Sequence, residues 1–258
     1  MAARFDGKVA LITGGGAGIG RTTARALAAE GARVVIGDRD LSSARAVVDE
    51  LDGRGTAVGF DATSSSSIEA LIATTIATYG RLDILHNNVA MTGSAWGTDT
   101  TVLETSLETW DLTMTTNLRS MFVACRATLP HMIEQGEGAI INMSSRAGFI
   151  GKDALVAYGT SKGAVYTLTQ YLAVQYGRYN IRTNCIAPGP IMTEQLLEHR
   201  PDLEAETLAT LPFPRAGRPE DVAGLVLALA SDELGFVNGQ LIHCDGGGSV
   251  GQAPEPKQ

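Results

Sequence analysis

Lys8-Val9-Ala10-Leu11-Ile12-Thr13, running directly into Gly14-Gly15-Gly16-Ala17-Gly18-Ile19-Gly20, decides how this chain is read. The first six residues are largely aliphatic and β-branched, as in a strand buried on both faces. The glycines supply a turn, and the Ala-, Arg- and Leu-rich run that continues to Glu30 has the composition of a helix. Strand, glycine turn and helix together deliver helix N-terminal N–H groups to a pyrophosphate, with glycine where φ is positive or where backbone must approach a ligand closely. The same pattern also fits a tight structural turn followed by a capping acid. What favours the ligand is the next segment: Arg33-Val34-Val35-Ile36-Gly37-Asp38 reads as a second strand ending in an acid eighteen residues after Gly20. That is near the separation expected of a carboxylate accepting from the adenosine ribose hydroxyls.

Working outward, the unit repeats. A helix from about Leu41 to Leu51 leads to a third strand, Thr56 to Phe60, ending in Asp61-Ala62. Asp61 can accept from an adenine amino group or cap the next turn, where Ser64 to Ser67 start a helix running to Tyr79. Leu82 to Asn87-Asn88 is a fourth strand with amides at its end. Strand–helix repeats with apolar strands imply a parallel, doubly wound α/β sheet, whose ligands bind at the carboxyl ends of the strands. Asp38 bears on cofactor choice, because a carboxylate accepts from two ribose hydroxyls and repels a 2′-phosphate. Arg39 could grip such a phosphate, but it stands behind Asp38, and the balance favours NAD over NADP.

Composition narrows the class. The 258 residues, 44% apolar and without a Pro/Gly/Ser-rich interior linker, can bury one large core, and a single domain over 1-258 is expected. A net charge of −8 argues against nucleic-acid and anionic-membrane partners. No run of eighteen apolar residues occurs and the first residues contain no apolar signal core, so a cytoplasmic protein is expected. Cys125, Cys185 and Cys244 lack C-x-x-C spacing, and His86, His131, His199 and His243 lack ligand spacing, so no metal site is expected.

In the second half, Ser106 to about Gln135 reads as one long helical stretch containing Met114-Thr-Thr-Asn117, and an Asn inside a helix often has a hydrogen-bonding task. Gly138 to Met143 is a strand that delivers Ser144-Ser145. Thirteen residues later comes Tyr158-Gly-Thr-Ser-Lys162, which sets a phenol and an ammonium one helical turn apart on one face. Such a pair can be ordinary helix surface. It can also be an acid–base device, provided the phenol, ordinarily at about 10, is brought toward neutrality by roughly 4 kcal/mol of preferential phenolate stabilisation. Pro219-Glu-Asp-Val-Ala opens a last helix and Gln240 to Cys244 a last strand.

Thr13-Gly14-x-x-x-Gly18-x-Gly20, Asp61, Asn117, Ser145, Tyr158, Lys162, Pro188-Gly189 and Thr193 occur in the order and spacing of the short-chain dehydrogenase/reductase family, which the chain resembles over nearly its whole length. The family's usual Asn-Asn-Ala-Gly appears as Asn87-Asn88-Val89-Ala90, so Ala90 must fit where a glycine is usual. The resemblance implies a Rossmann-like parallel sheet of about seven strands and a secondary alcohol–ketone oxidoreductase. In it Tyr158 is the general acid/base, Lys162 lowers the tyrosine pKa and bonds the nicotinamide ribose, Ser145 holds the substrate oxygen, and Asn117 fixes a water that relays protons from Lys162. Together with the reading of Asp38 and Arg39 above, it assigns Gly14, Gly18, Ile19, Gly20, Asp38, Arg39, Asp61, Ala62, Asn88, Val89, Ala90, Tyr158, Lys162, Pro188, Gly189, Ile191 and Thr193 to the cofactor, NAD being preferred. An NADPH-dependent carbonyl reductase is the alternative, and a non-catalytic nucleotide-binding protein a third reading.

The resemblance also implies a homotetramer with the Tyr158 helix at one interface, and a lid over the substrate at about 190-215. The amphipathic stretch around Pro201 could equally be a static surface helix pair. Met91, Trp96, Phe149, Leu155, Ile191 and Met192 are candidate walls of an apolar pocket or core residues. Arg146 either meets an acidic group of the substrate or pairs structurally elsewhere. The tail 251-258, with two prolines and no apolar anchor, is expected to move unless a neighbouring subunit holds it.

Overall fold

Two apolar faces on one strand require cover on both sides, and that requirement builds the molecule. The computed structural model describes residues 3–91 and 97–251. Strand β1 (Val9–Thr13) is buried throughout and lies between β2 (Arg33–Asp38) and β4 (Ile84–Asn87), parallel to both. Leu11 pairs with Val35 on one side and Leu85 on the other, and Ile12 with Ile36 and His86. The other strands are β3 (Gly55–Gly59), β5 (Gly138–Met143), β6 (Ile181–Pro188) and β7 (Leu241–Cys244). The sheet order is β3-β2-β1-β4-β5-β6-β7, with every pairing parallel.

Alternation along the strands sends Ala10, Ile12, Val34, Ile36 and Ile141 to one face, and Leu11, Val35, Leu85 and Ile140 to the other. The first face is covered by α1 (Gly18–Ala29), α2 (Leu41–Asp49) and α9 (Pro219–Ala230) through Leu27, Val47 and Val226. The second is covered by α3 (Ser65–Tyr79), α5 (Ser120–Gln135) and α6 (Val156–Tyr176) through Leu71, Leu129 and Leu172. Each such side chain contributes about 1.5–3 kcal/mol on burial. Helix starts follow the residues that satisfy the first free N–H groups: Asp40 for α2, Ser64 for α3 and Ser106 for α4 (Leu107–Met114). Among the described residues no helix is long and apolar enough to cross a membrane.

Several boundaries differ from the sequence reading. The helix expected to reach Leu51 stops at Asp49, because Asp52 and Gly53 take left-handed backbone in the turn that follows. The fourth strand starts at Ile84 rather than Leu82, whose N–H and C=O are both bonded to the Gln135 side chain. The long stretch from Ser106 is continuous, but it widens to a π turn over Thr115–Arg119 between α4 and α5. The segment around Pro201 forms two short helices, α7 (Glu194–His199) and α8 (Leu203–Leu208).

Because the chain steps outward from β1 to β3 and then returns to place β4 beside β1, the connections at the carboxyl ends of β1 and β4 diverge. In open α/β sheets that divergence is a binding crevice.

Candidate active site

The glycine turn forms the floor of the crevice. A methyl group on Gly20 would lie 2.2 Å from the Gly14 carbonyl oxygen, so the chain reverses here only without a side chain. Ala17, at the start of α1, provides no side-chain acceptor for the first free N–H groups, and the first turn contains no acid. This helix terminus therefore keeps the donors and the positive dipole end that a pyrophosphate takes. Asp38 is tied to the turn: its Oδ2 accepts from Gly16 N–H at 2.9 Å and its Oδ1 from Asp40 N–H at 3.0 Å. Asp61 accepts from the Thr63 N–H and hydroxyl, both at 2.8 Å. These bonds, with a smaller contribution from the Arg39 charge, hold its carboxyl below the ordinary range. Asp61 thus caps the turn after β3, with Ala62 buried beside it, and Arg39 is an exposed side chain whose charge acts on Asp61.

The end of β4 is fastened to the same floor. Thr13 Oγ1 accepts from Asn88 N–H at 3.1 Å and Val89 N–H at 3.3 Å, while Asn88 Nδ2 donates to the Gly14 carbonyl at 2.9 Å. Ala90, where a glycine is usual, has no left-handed backbone, so its methyl group carries no conformational cost.

Ser145, Tyr158 and Lys162 meet beyond β5. The Ser145 hydroxyl accepts from Ala147 N–H at 3.2 Å and faces the Tyr158 phenol. Burial pushes the phenol above its ordinary value, and the neighbouring Ser145 hydroxyl opposes that rise. Lys162 departs from the simplest expectation. Its ammonium donates to the Met143 carbonyl at 2.7 Å and lies 5.8 Å from the centre of the Tyr158 ring, instead of contacting the phenol oxygen. Lys162 is 1% exposed, and burial lowers it to about 8. The backbone beneath it is held by the Ser144 hydroxyl, which donates to the Lys162 carbonyl at 2.6 Å.

Asn117 sits in the π turn, fully buried. Its Oδ1 accepts from Met91 N–H at 2.7 Å and its Nδ2 donates to Ser161 Oγ at 3.1 Å, so its amide joins the strand β4 loop to α6. Turns of this wide type recur at functional sites.

One residue at the site has no trace in the sequence reading. Leu155, the N-cap position just before helix α6, has left-handed backbone (φ 66°) and gives no side-chain cap. The cap comes from Asp99, far upstream and 1% exposed. Its Oδ1 accepts from Ala157 N–H at 3.0 Å and its Oδ2 from Tyr158 N–H at 2.8 Å, while its own carbonyl accepts from Leu155 N–H at 3.0 Å. Asp99 thus holds the backbone of the residue that carries the phenol.

The segment after β6 closes the crevice on one side. Gly189 N–H donates to the Cys244 carbonyl at 3.1 Å, and a methyl group on Gly189 would press within 2.9 Å of Asp245. Ile191 belongs to the core, bridged to Gly217, so its side chain is not a pocket wall. Thr193 caps α7 through Leu196 N–H, and its methyl lies 3.1 Å from where a Cβ on Gly18 would be. Arg21 pairs with Glu194 at 2.9 Å, so the start of this segment rests on the glycine turn. Met192, whose N–H donates to the Gly217 carbonyl, is half-buried. Phe149 packs edge-on against Tyr166 and His243, on the β7 side. Trp96 lies outside the described residues.

Comparison with known proteins places this geometry in context. A family model described as enoyl-(acyl carrier protein) reductase matches residues 14–249. A probable short-chain type dehydrogenase/reductase of Bradyrhizobium diazoefficiens is 44% identical over 248 residues, covering 95% of this chain and 88% of that one. A cyclohexanol dehydrogenase of an Acinetobacter species is 36% identical over 249 residues, covering 95% and 96%. Among solved structures, levodione reductase superposes with a TM-score of 0.89 at 32% identity, over 96% of this chain and 99% of its own.

Proposed function

The chain belongs to the short-chain dehydrogenase/reductase family, oxidoreductases of CH–OH groups that use nicotinamide cofactors, and from that premise we propose an NAD-dependent enzyme interconverting a secondary alcohol and a ketone. The observation that carries the proposal is the Ser145 hydroxyl set beside the Tyr158 phenol, next to a glycine turn whose helix has no cap of its own. Asp38 supports NAD, since a 2′-phosphate would face its carboxylate, and the Arg39 charge acts on Asp61.

When bound, the oxidised cofactor supplies a hydride acceptor and a positively charged ring. Gly14, Gly18, Ile19 and Gly20 would hold its pyrophosphate. Asp38 would take the adenosine ribose, with Asp61 and Ala62 at the adenine edge. Asn88, Val89 and Ala90 together with Pro188, Gly189, Ile191 and Thr193 would border the nicotinamide half. Tyr158, as phenolate, removes the hydroxyl proton of the alcohol and returns it in the reverse direction. Burial opposes phenolate formation, so positive charge must favour it, and the Lys162 ammonium supplies part of that field from behind the ring. Ser145 donates to the substrate oxygen as negative charge develops there. Asn117 positions the loop after β4 against α6; because its amide is committed on both sides, a relay water beside Lys162 would be held by main chain. Residues 190-215 act as a lid.

We further assign a cytoplasmic homotetramer. Phe122, Tyr171 and Val174 are exposed on α5 and α6, an apolar face suited to a second subunit. The test is a screen of secondary alcohols with NAD and NADP, monitoring reduced nicotinamide. Tyr158→Phe is expected to abolish turnover with cofactor binding nearly intact. Substantial retained activity, or a tenfold preference for NADP, overturns the assignment.

A further inference from the structure

The connection between Ser145 and Tyr158 carries two cations, Arg146 and Lys152, in a chain of net charge −8. Neither forms a hydrogen bond or an ion pair through its side chain among the described residues. Arg146 is half-buried and directly follows Ser145, the serine beside the phenol. Its guanidinium lies against the turn after β7, with Nη1 2.3 Å from the point a Cβ on Gly248 would occupy. Leu211, at the end of the lid, borders the same point at 3.4 Å. The structure therefore makes room for this guanidinium with a glycine, and among the described residues no acid lies within ion-pair distance of it. Lys152, exposed on this connection, is held below its ordinary value by partial desolvation, then by Arg146, whose effect exceeds that of the neighbouring Asp153, and last by Arg200 of the lid. Arg200 itself is paired with Glu206 at 2.7 Å. Arg146 has the planar donor fork that suits an oxyanion.

We propose that Arg146, supported by Lys152, is an anion subsite at the mouth of the crevice, and that the substrate is a secondary alcohol, or its ketone, carrying a carboxylate or phosphate. This rests on the dehydrogenase assignment above. It takes up the first of the two roles open to Arg146 from sequence, since the structural partner required by the second is missing among the described residues.

The test uses 3-hydroxybutanoate, 4-hydroxypentanoate and 5-hydroxyhexanoate against their methyl esters, with 3-hydroxybutyl phosphate as the phosphate arm. At one chain length or more, the acid or the phosphate is expected to exceed its neutral counterpart at least tenfold in kcat/KM, the larger gain identifying the source of the anion. Arg146→Met should bring the preference within threefold, and Arg146→Lys should restore part of it. Gly248→Ala, which keeps both charges but places a methyl where the guanidinium lies, should also reduce it. Equal rates for acids and esters at every length, or a preference unchanged in Arg146→Met, overturns the subsite. Calorimetric titration of glutarate and inorganic phosphate onto the cofactor-saturated protein separates this from the underlying assignment. Arg146-dependent binding without turnover of any alcohol keeps the subsite and removes the dehydrogenase. Turnover of neutral alcohols with no anion binding does the reverse.

Discussion

Replacing Asp99 by Asn keeps the side chain's shape and removes one of its two acceptor oxygens. In the structure those oxygens take the N–H groups of Ala157 and Tyr158 at 3.0 and 2.8 Å from a position 1% exposed. Hydrogen bonds to a charged partner contribute about 1.5–3 kcal/mol each, and a buried donor left without a partner costs a similar amount. Asp99→Asn should therefore destabilise the fold by about 2–3 kcal/mol and Asp99→Ala by about 3–6 kcal/mol, against typical total stabilities of about 5–15 kcal/mol. The catalytic effect should be uneven. Tyr158 sits in the unsupported first turn, whereas Lys162 is held independently through Ser144 and Met143. A displacement of the phenol by about 1 Å costs on the order of 100-fold in rate. In Asp99→Asn, kcat/KM should fall about 10- to 100-fold while NADH affinity, followed by fluorescence titration, changes by no more than about twofold. Urea denaturation measures the stability arm. A variant that loses stability yet turns over normally per folded molecule would refute the positioning argument, and one with a wild-type urea midpoint would refute the energetic argument.

Two other expectations follow from geometry and charge. Asp38→Asn removes the negative charge proposed to take the adenosine ribose and should shift the NADP/NAD ratio of kcat/KM upward by about tenfold or more; an unchanged ratio would place cofactor choice elsewhere. His86, fully buried in β4 with neither ring nitrogen partnered, is lowered by burial to about 3. An unfolded histidine takes its proton near 6.5, so between these values the unfolded chain binds the extra proton, and stability declines as pH falls, by up to about 1.4 kcal/mol per pH unit. His86→Leu should flatten that part of the profile in urea midpoints measured from about pH 4 to 7, and parallel wild-type and variant slopes would exclude the mechanism.

How far the sequence reveals all this depends on the range over which each cause acts. Strands β1, β2 and β5 were legible because burial on both faces demands apolar residues at successive positions, as in Ala10-Leu11-Ile12. The family and the seven-stranded sheet were legible because the motifs carrying them are local. Strand and helix ends slipped by one or two residues where side chains from other elements intervene, as Gln135 does at Leu82. At the candidate site, residue identities were readable but partners were not. Nothing near Tyr158 indicates that its helix is capped by Asp99, because that carboxylate arrives from a loop whose own sequence resembles any polar turn. The direction of Lys162, toward Met143 rather than the phenol oxygen, is set by the packing of α6 on β5. Asn117 drew notice as an unfavourable residue within a helix, but the widened turn that contains it has no composition of its own.

That widened turn has a consequence for insertions and deletions. A π turn closes its hydrogen bonds over one more residue than ordinary helix, so it absorbs an extra residue, and removing one from Thr115–Arg119 would let the turn relax to ordinary helix with α4 keeping its rotational phase relative to α5. Asp111 and Met114 would stay on the side they share with Phe122 and Tyr171, the face assigned to a neighbouring subunit. At this point in the chain a single deletion is absorbed by the turn, whereas one placed within α4 or α5 would turn the residues beyond it by about 100° and change which surfaces meet in the assembly.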